Sequence, residues 1–319
     1  STSKRNQSLK RTNLPGPVLM MQPGEELILN FDNSIRLPGL TDQQNALAGF
    51  VPNSTYGAGG SEGLGAGTST NIHVHGAHTT SGGFGDNVVA RYTTGQSWTS
   101  SFSIPEEHGQ GAYWYHPHYH PSVNQQVYGG LSGSLTIGDP LAKLPGFEDT
   151  PRNLAVLKTL DFEVDRKGHL LASSYGSLGG PLTNQLRMAS VNGEFKPTAE
   201  GDAGGWQSIT LSNQSNQFFY NIRLLHGDPE DPTVLPIWIY GEDGHQYPKV
   251  RRAMGALGSN QGQQPTAYSQ ARDLIALAPG KRVDVLAYLP PGTTQLSSVY
   301  NFKADEDKFQ ITNMGGYPE

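Results

Sequence analysis

The amino-acid sequence predicts an all-β protein built of two β-sandwich domains, and three observations carry that prediction. Apolar residues fall in short runs of strand length. Glycine and proline punctuate the runs, at 40 and 22 of 319 residues. The first half shows no convincing amphipathic helical stripe. At roughly 100 to 200 residues per domain, a chain of 319 residues makes two domains.

In order along the chain, Ser1–Leu14 is polar and without period and reads as a loose arm, residues 1–14. Val18–Gln22 and Glu26–Asn30 are strand-like runs around a Pro23-Gly24 turn. Met20 and Met21 stand next to each other on the first of these, so they point to opposite faces and serve packing rather than metal binding. Leu40–Thr70 is rich in Gly, Ser, Thr and Asn and reads as a long inserted loop. Four more runs, Asn71–His75, Ser97–Ile104, Gly111–His118 and Gly130–Ile137, complete a first domain over residues 15–140. A proline-rich stretch, 141–152, reads as a linker. Leu154–Leu160, Gln207–Leu211, Phe218–Leu225, Ile237–Tyr240, Leu274–Leu277 and Arg282–Tyr288 supply the strands of a second domain, 153–303. Residues 304–319 read as a tail or as the start of a further domain.

Composition narrows the function. A formal charge of −6 leaves no basic stripe to neutralise phosphates, which argues against nucleic acid and anionic membrane surfaces as partners. No apolar run approaches the ~18 residues of a membrane span. The chain opens Ser-Thr-Ser-Lys, without an initiator methionine or a signal-type apolar region, and reads as processed or excised. There is no cysteine, which removes disulfides, thiolate nucleophiles, zinc ribbons and thiolate-ligated copper. Asn6, Asn53 and Asn213 begin Asn-x-Ser/Thr triplets of the kind expected by chance at this Ser/Thr content.

Seven of the ten histidines fall between positions 73 and 120. In Asn71-Ile-His-Val-His-Gly76 the strand period places His73 and His75 on one face, ~7 Å apart, a spacing suited to neighbouring ions. Tyr113-Trp-Tyr-His-Pro-His-Tyr-His120 repeats the device, with His116 and His118 on one face and the aromatic residues on the other. Side by side, two such strands make a face of four imidazoles. Neutral imidazole ligates copper and zinc, and four of them without a thiolate favour a borderline metal open to exogenous ligands, for redox or hydrolytic work. A lone histidine on a polar strand face is ordinarily a surface residue, and His78, His108 and His120 are read that way or as neighbours of the ligands. His169, His226 and His245 lie in turn-like contexts and are read as ordinary.

These residues resemble the multicopper oxidases, the laccase and ascorbate-oxidase family. The resemblance rests on His73-Val-His75-Gly76, then Tyr113-Trp-Tyr-His116-Pro-His118, Gln126 and Gly129-Gly-Leu-Ser-Gly133, which are similar to the family's first two copper motifs. Pro15-Gly-Pro-Val, Pro23-Gly-Glu-Glu, Val191-Asn-Gly193 and Ala278-Pro-Gly-Lys-Arg-Val-Asp284 extend it over residues 15 to 303. It implies two cupredoxin-like Greek-key domains. It implies copper as cofactor, with His73 on the type 2 ion and His75, His116 and His118 on the type 3 pair. It also implies Asp86 as the acid that delivers protons to reduced oxygen, a residue otherwise readable as a turn aspartate beside Gly85. Pro117 departs from the small polar residue usual between the paired histidines, and lacking an N–H it suggests a strand end.

The family completes its trinuclear site with four more histidines, and its type 1 site with two histidines and a cysteine, in a third cupredoxin domain. This chain holds half of the cluster's ligands. The resemblance implies the N-terminal two-domain part of a periplasmic or extracellular oxidase that takes single electrons from phenols or metal ions and reduces O2 to water. Its partners are then copper ions, O2, the reductant and a third domain. The alternatives are a copper-binding or resistance protein without oxidase activity, and a metal-free cupredoxin-like interaction protein.

Overall fold

The computed structural model describes residues 15–36, 41, 68–120, 122–164, 170–173, 185–195, 204–216, 218–228, 230–258, 268–292, 294–300 and 309–312. The readings of an N-terminal arm at 1–14, of most of the Leu40–Thr70 loop, of His169, Asn6 and Asn53, and of the stretch from 304 apart from Phe309–Thr312 lie outside the described residues. Chain contacts group into two compact units. One comprises Ser1–Gly109, Tyr113–Gly138 and Glu163–Gln185, the other Gln110–Ala112, Asp139–Phe162 and Leu186–Glu319. The fold is all-β, two cupredoxin-like Greek-key sandwiches, as expected.

In the first unit the strands are β1 (Gly16–Met21), β2 (Glu26–Asp32), β3 (His73–His75), β4 (Ser97–Ser103), β5 (Gly111–His116) and β6 (Gly133–Ile137). One sheet runs β1-β6-β5-β3, and β2 pairs with β4 in the other. β1 and β6 run parallel, while β3 and β5 run antiparallel. The core between the sheets gathers Met21, Ile72, Val74, Phe102, Ile104, Tyr113, Leu135 and Ile137. Alternation decides which residues enter it: Met21 is buried while neighbouring Met20 is 71% exposed, so the methionine pair divides between core and solvent. Gly133 lets β6 lie against the Tyr115 ring, which a Cβ at that position would strike, and the Tyr115 hydroxyl donates to the Pro17 carbonyl at 2.8 Å.

Among the described residues a short helix, α1 (Val123–Tyr128), was not expected from the sequence. Six residues with no side-chain cap and no charged termini give no periodic signal. A 3-10 turn, Pro140–Lys143, is opened by the Asp139 carboxylate accepting from the Leu141 N–H.

The remaining strands are β7 (Arg152–Val164), β8 (Leu170–Ser173), β9 (Gln185–Val191), β10 (Glu194–Phe195), β11 (Gly205–Asn213), β12 (Tyr220–His226), β13 (Thr233–Val234), β14 (Trp238–Glu242), β15 (His245–Arg252), β16 (Met254–Gly258), β17 (Tyr268–Arg272), β18 (Ile275–Leu277), β19 (Arg282–Leu289), β20 (Thr294–Tyr300) and β21 (Phe309–Thr312), and all but β8, which falls in the Glu163–Gln185 segment of the first unit, belong wholly or mainly to the second. The larger sheet of the second unit runs β10-β9-β7-β11-β19-β14-β15, and β13-β12-β20-β21 faces it across a core that includes Ile209, Leu211, Tyr220, Ile222 and Val285. β15 and β20 were missed from sequence for opposite reasons. β15 is charged and carries Pro248 on a largely exposed strand. β20 buries polar residues, Thr294, Gln295, Ser297 and Ser298, so hydropathy does not mark it. Asn213 is fully buried, its amide donating to the Phe218 and Leu277 carbonyls, which bars glycosylation at that triplet.

Lys158 sits on β7 at 4% exposure, with its ammonium 3.5 Å from the Gln214 carbonyl. Burial pushes its pKa down to about 8. An unfolded lysine keeps its proton to ~10.4, so between pH 8 and 10 the unfolded chain binds more protons and this residue makes stability rise with pH. Lys158→Met is expected to stabilise the second unit at pH 7 by about 1–3 kcal/mol. It should also flatten the rise in stability between pH 8 and 10. Urea denaturation at pH 7 and pH 9.5 reads both effects, and equal stabilisation at the two pH values would contradict the assignment.

Candidate metal centre

Two strands bring the histidines together. In the β3–β5 ladder His73 pairs with His116, Val74 with Tyr115 and His75 with Trp114. Val74 points into the core at 1% exposure, so His73 and His75 take the opposite face. On β5, Tyr113 and Tyr115 join the core, while Trp114 and His116 share the histidine face. This corrects one expectation: the aromatic residues do not all lie opposite the histidines. Trp114 stacks on His116 with ring centres 4.1 Å apart and stands 5.1 Å from His75. β5 ends at His116, as the proline that follows suggested.

One nitrogen from each of His73, His75 and His116 falls within a 4.8 Å cluster. His75 Nδ1 lies 3.2 Å from His116 Nε2. The His118 ring, one residue past Pro117, stands 4.9 Å from that of His73 and 5.9 Å from that of His116. The His73 and His75 rings are 5.6 Å apart, closer than the strand repeat alone gives, because the rings lean together.

The surroundings aim these imidazoles and lower the pKa of His116 and His118. His116 is buried, its Nδ1–H donates to the Pro117 carbonyl at 2.7 Å, and its Nε2 is left toward the cluster. Desolvation, reinforced by His73, His75 and His118, pushes its pKa down to about 3. The His118 pKa is lowered by partial burial first and then by His73 and His120. His73 Nδ1 lies 2.9 Å from Asp86 Oδ2 and 3.0 Å from Oδ1, so the carboxylate takes that N–H and turns Nε2 inward. Asp86 also accepts from the Val74 N–H at 3.1 Å. Its loop closes through the Asp86 N–H donating to the Thr80 carbonyl at 2.7 Å. Gly85 is required beside it, since a Cβ there would overlap the Thr80 carbonyl.

Asn71 is the residue that sequence reasoning missed. Its amide donates to the Val88 and Ala90 carbonyls, and its Oδ1 accepts from the His118 and Tyr119 N–H groups at 2.6 and 2.9 Å. One buried side chain thus ties the segment after Asp86 to the strand end bearing His118. Gln126 on α1 donates to the Ser69 carbonyl and accepts from Thr70 Oγ1, fixing the approach to β3. Neither role shows in residue type or period, because the bonded partners lie 17 to 57 residues away. His108 stands outside the cluster: its Nε2 accepts from the His78 N–H and its Nδ1 lies 2.7 Å from the Gly109 carbonyl, so both ring nitrogens are in use. His226 Nδ1 contacts Thr294 Oγ1.

The donor set fits copper. Three imidazole nitrogens close together without a thiolate, on a half-buried face, suit a borderline cation. Two nitrogens 3.2 Å apart also match the separation of two ligands each roughly 2 Å from one ion.

Comparison with known proteins agrees. Residues 65–142 match the family described as Multicopper oxidase. Over these residues the first cupredoxin-like domain is similar to a multicopper oxidase domain, in line with the motif resemblance. Among individual proteins, the chain is 27% identical over 195 residues to the cell division protein FtsP of Salmonella typhimurium, covering 59% of this chain and 34% of that one. It is 25% identical over 194 residues to Laccase-1 of Thanatephorus cucumeris, covering 60% and 27%. A multicopper oxidase from Campylobacter jejuni, described as a metallo-oxidase, superposes with a TM-score of 0.60 at 18% identity, covering 96% of this chain and 52% of that one. The last likeness concerns the fold. The chain spans about a third of the length of the FtsP and laccase relatives and about half of the solved oxidase. Among the described residues no helix is long and apolar enough to cross a membrane.

Proposed function

We propose that this chain is the copper-binding, two-domain part of a multicopper oxidase and supplies one wall of a trinuclear copper site. The observation that carries the reading is the His73↔His116 register, which sets His73, His75 and His116 on one face of two neighbouring strands, with the His118 ring just past the strand end 4.9 Å from that of His73. His73 would hold the type 2 ion and His75, His116 and His118 the type 3 pair. Copper bound there supplies one-electron chemistry, in which four single electrons from phenols or metal ions, with four protons, reduce O2 to two waters.

This chain's own residues prepare that chemistry. Asp86 fixes the His73 tautomer and is the proposed proton carrier, being the carboxylate in hydrogen-bond contact with the imidazole face. Burial holds the His116 pKa well below neutral, which keeps its ligand nitrogen available near pH 7. Trp114 covers the rings of His75 and His116 and limits water on that side. The proposed partner is a third cupredoxin domain carrying the thiolate that this sequence lacks, and the proposed location is the periplasm or the exterior.

Copper-to-protein ratio after dialysis against excess metal tests the site: at least one tightly held ion per chain is expected, and none would refute it. Oxygen uptake with a phenolic donor tests the assembly, with none expected from this chain alone and uptake expected once a thiolate-bearing third domain is added. A second reading, a cupredoxin-like interaction protein without metal, draws support from the similarity to proteins named FtsP. It predicts a copper ratio of zero.

Asp86→Asn is expected to weaken copper binding about 10- to 100-fold. With its oxygen kept on the Val74 N–H, the amide puts an NH2 donor where Oδ2 faces His73 Nδ1, and the negative charge that holds that N–H is lost. Competition against a chromophoric chelator measures the loss, and unchanged affinity would remove Asp86 from the site.

A further inference from the structure

His116, His118 and His120 recur at every second residue, and their rings advance in nearly equal steps: 5.9 Å from His116 to His118 and 5.6 Å from His118 to His120. Exposure grades along the same series. His116 is buried, His118 half-buried and His120 exposed. From His118 the line continues inward to His73 at 4.9 Å. The chain leading to His120 is anchored at Tyr119, whose N–H donates to Asn71 Oδ1 at 2.9 Å and whose carbonyl accepts from the Val123 N–H at 3.0 Å. These bonds fix the backbone beside His120, and its exposed ring stands next to that of His118.

A hydrated cation pays heavily for losing its waters before new ligands replace them. A route into a buried site is passable when each water is exchanged for a nitrogen already within reach. Rings five to six ångströms apart, centre to centre, allow one ion to contact two imidazoles in succession with modest side-chain rotation.

We infer that His120 is the landing ligand for copper: it takes the hydrated ion at the surface and passes it to His118 by imidazole exchange. The ion keeps its charge, water leaves, and His120 has no place among the four ligands of the loaded site. The inference rests on the copper-binding reading above and adds to it a residue outside the motif that ends at His118.

The test uses the full chain, apo, mixed in a stopped-flow instrument with Cu(II) as its weak glycine complex. Trp114, 4.1 Å from His116, reports arrival of the ion by fluorescence quenching, and Trp114→Phe identifies its share of the signal. His120→Ala and His120→Gln are expected to slow uptake about tenfold, with the final copper per chain unchanged. His245→Ala, an exposed histidine of the other unit, is expected to leave the rate unchanged. An unchanged rate in both His120 variants would overturn the inference. A matching fall in final copper would also overturn it, by making His120 a ligand of the loaded site. Absence of copper uptake by the unmodified chain would instead refute the metal-binding reading beneath it.

Discussion

Alanine at both His116 and His118 is expected to lower copper affinity by at least about 100-fold, beyond what loss of an outer partner such as Asp86 costs. His116 contributes the buried nitrogen, 3.2 Å from that of His75, and its low pKa keeps it free of competing protons. His118 flanks His73 from the other side. Without both, His73 and His75 remain, two rings 5.6 Å apart on one short strand. The substitution vacates the space beside Trp114, so a fall in stability of roughly 1–3 kcal/mol accompanies it. Circular dichroism separates that fall from unfolding. Copper stoichiometry equal to that of the unmodified chain, in a folded double variant, would exclude these two residues as ligands.

Asn71→Ala is expected to have the largest effect on stability. It strips partners from two carbonyls and two N–H groups at once, around a side chain only 5% exposed. At about 1 kcal/mol for each bond the loss is on the order of 3–5 kcal/mol, a fall in Tm on the order of 10 °C. Copper binding should weaken with it, since His118 and the Asp86 loop are both released. Asn71→Asp should be intermediate, because its oxygens still accept from His118 and Tyr119 while the Val88 and Ala90 carbonyls lose their donor. A thermal scan of the three proteins gives the order, and a Tm for Asn71→Ala within about a degree of the parent would remove Asn71 from this role.

The faces of His73, His75 and His116 were legible from alternation, while His118 lies past the strand end, where the period no longer applies. A period of two is a local property, so His73 with His75 and the split of Met20 from Met21 could be read without knowing which strand lay alongside. Trp114 was misplaced because Tyr113, Trp114 and Tyr115 are consecutive and cannot share a face. The pairing of β3 with β5 followed from the resemblance, but its register is a long-range property that periodicity does not carry. Least visible were the polar ties. Asn71 and Gln126 act on backbone atoms, which look alike at every residue, and a side chain that bonds them leaves no complementary residue type to search for. β20 was hidden by the same substitution of hydrogen bonding for hydropathy.

The short β3–β5 ladder also bears on how such a domain can change over time. Three residue pairs separate a strand cut off by proline from its partner, with Val74 in the core between two imidazoles. Side-chain size around these positions can drift by small steps. Chain length within Ile72–His75 or Tyr113–His116 cannot, because one inserted or deleted residue would turn Val74 to solvent and the imidazoles into the hydrocarbon interior. Insertions and deletions are therefore confined to the intervening loops, and these two four-residue words are inherited whole or lost whole.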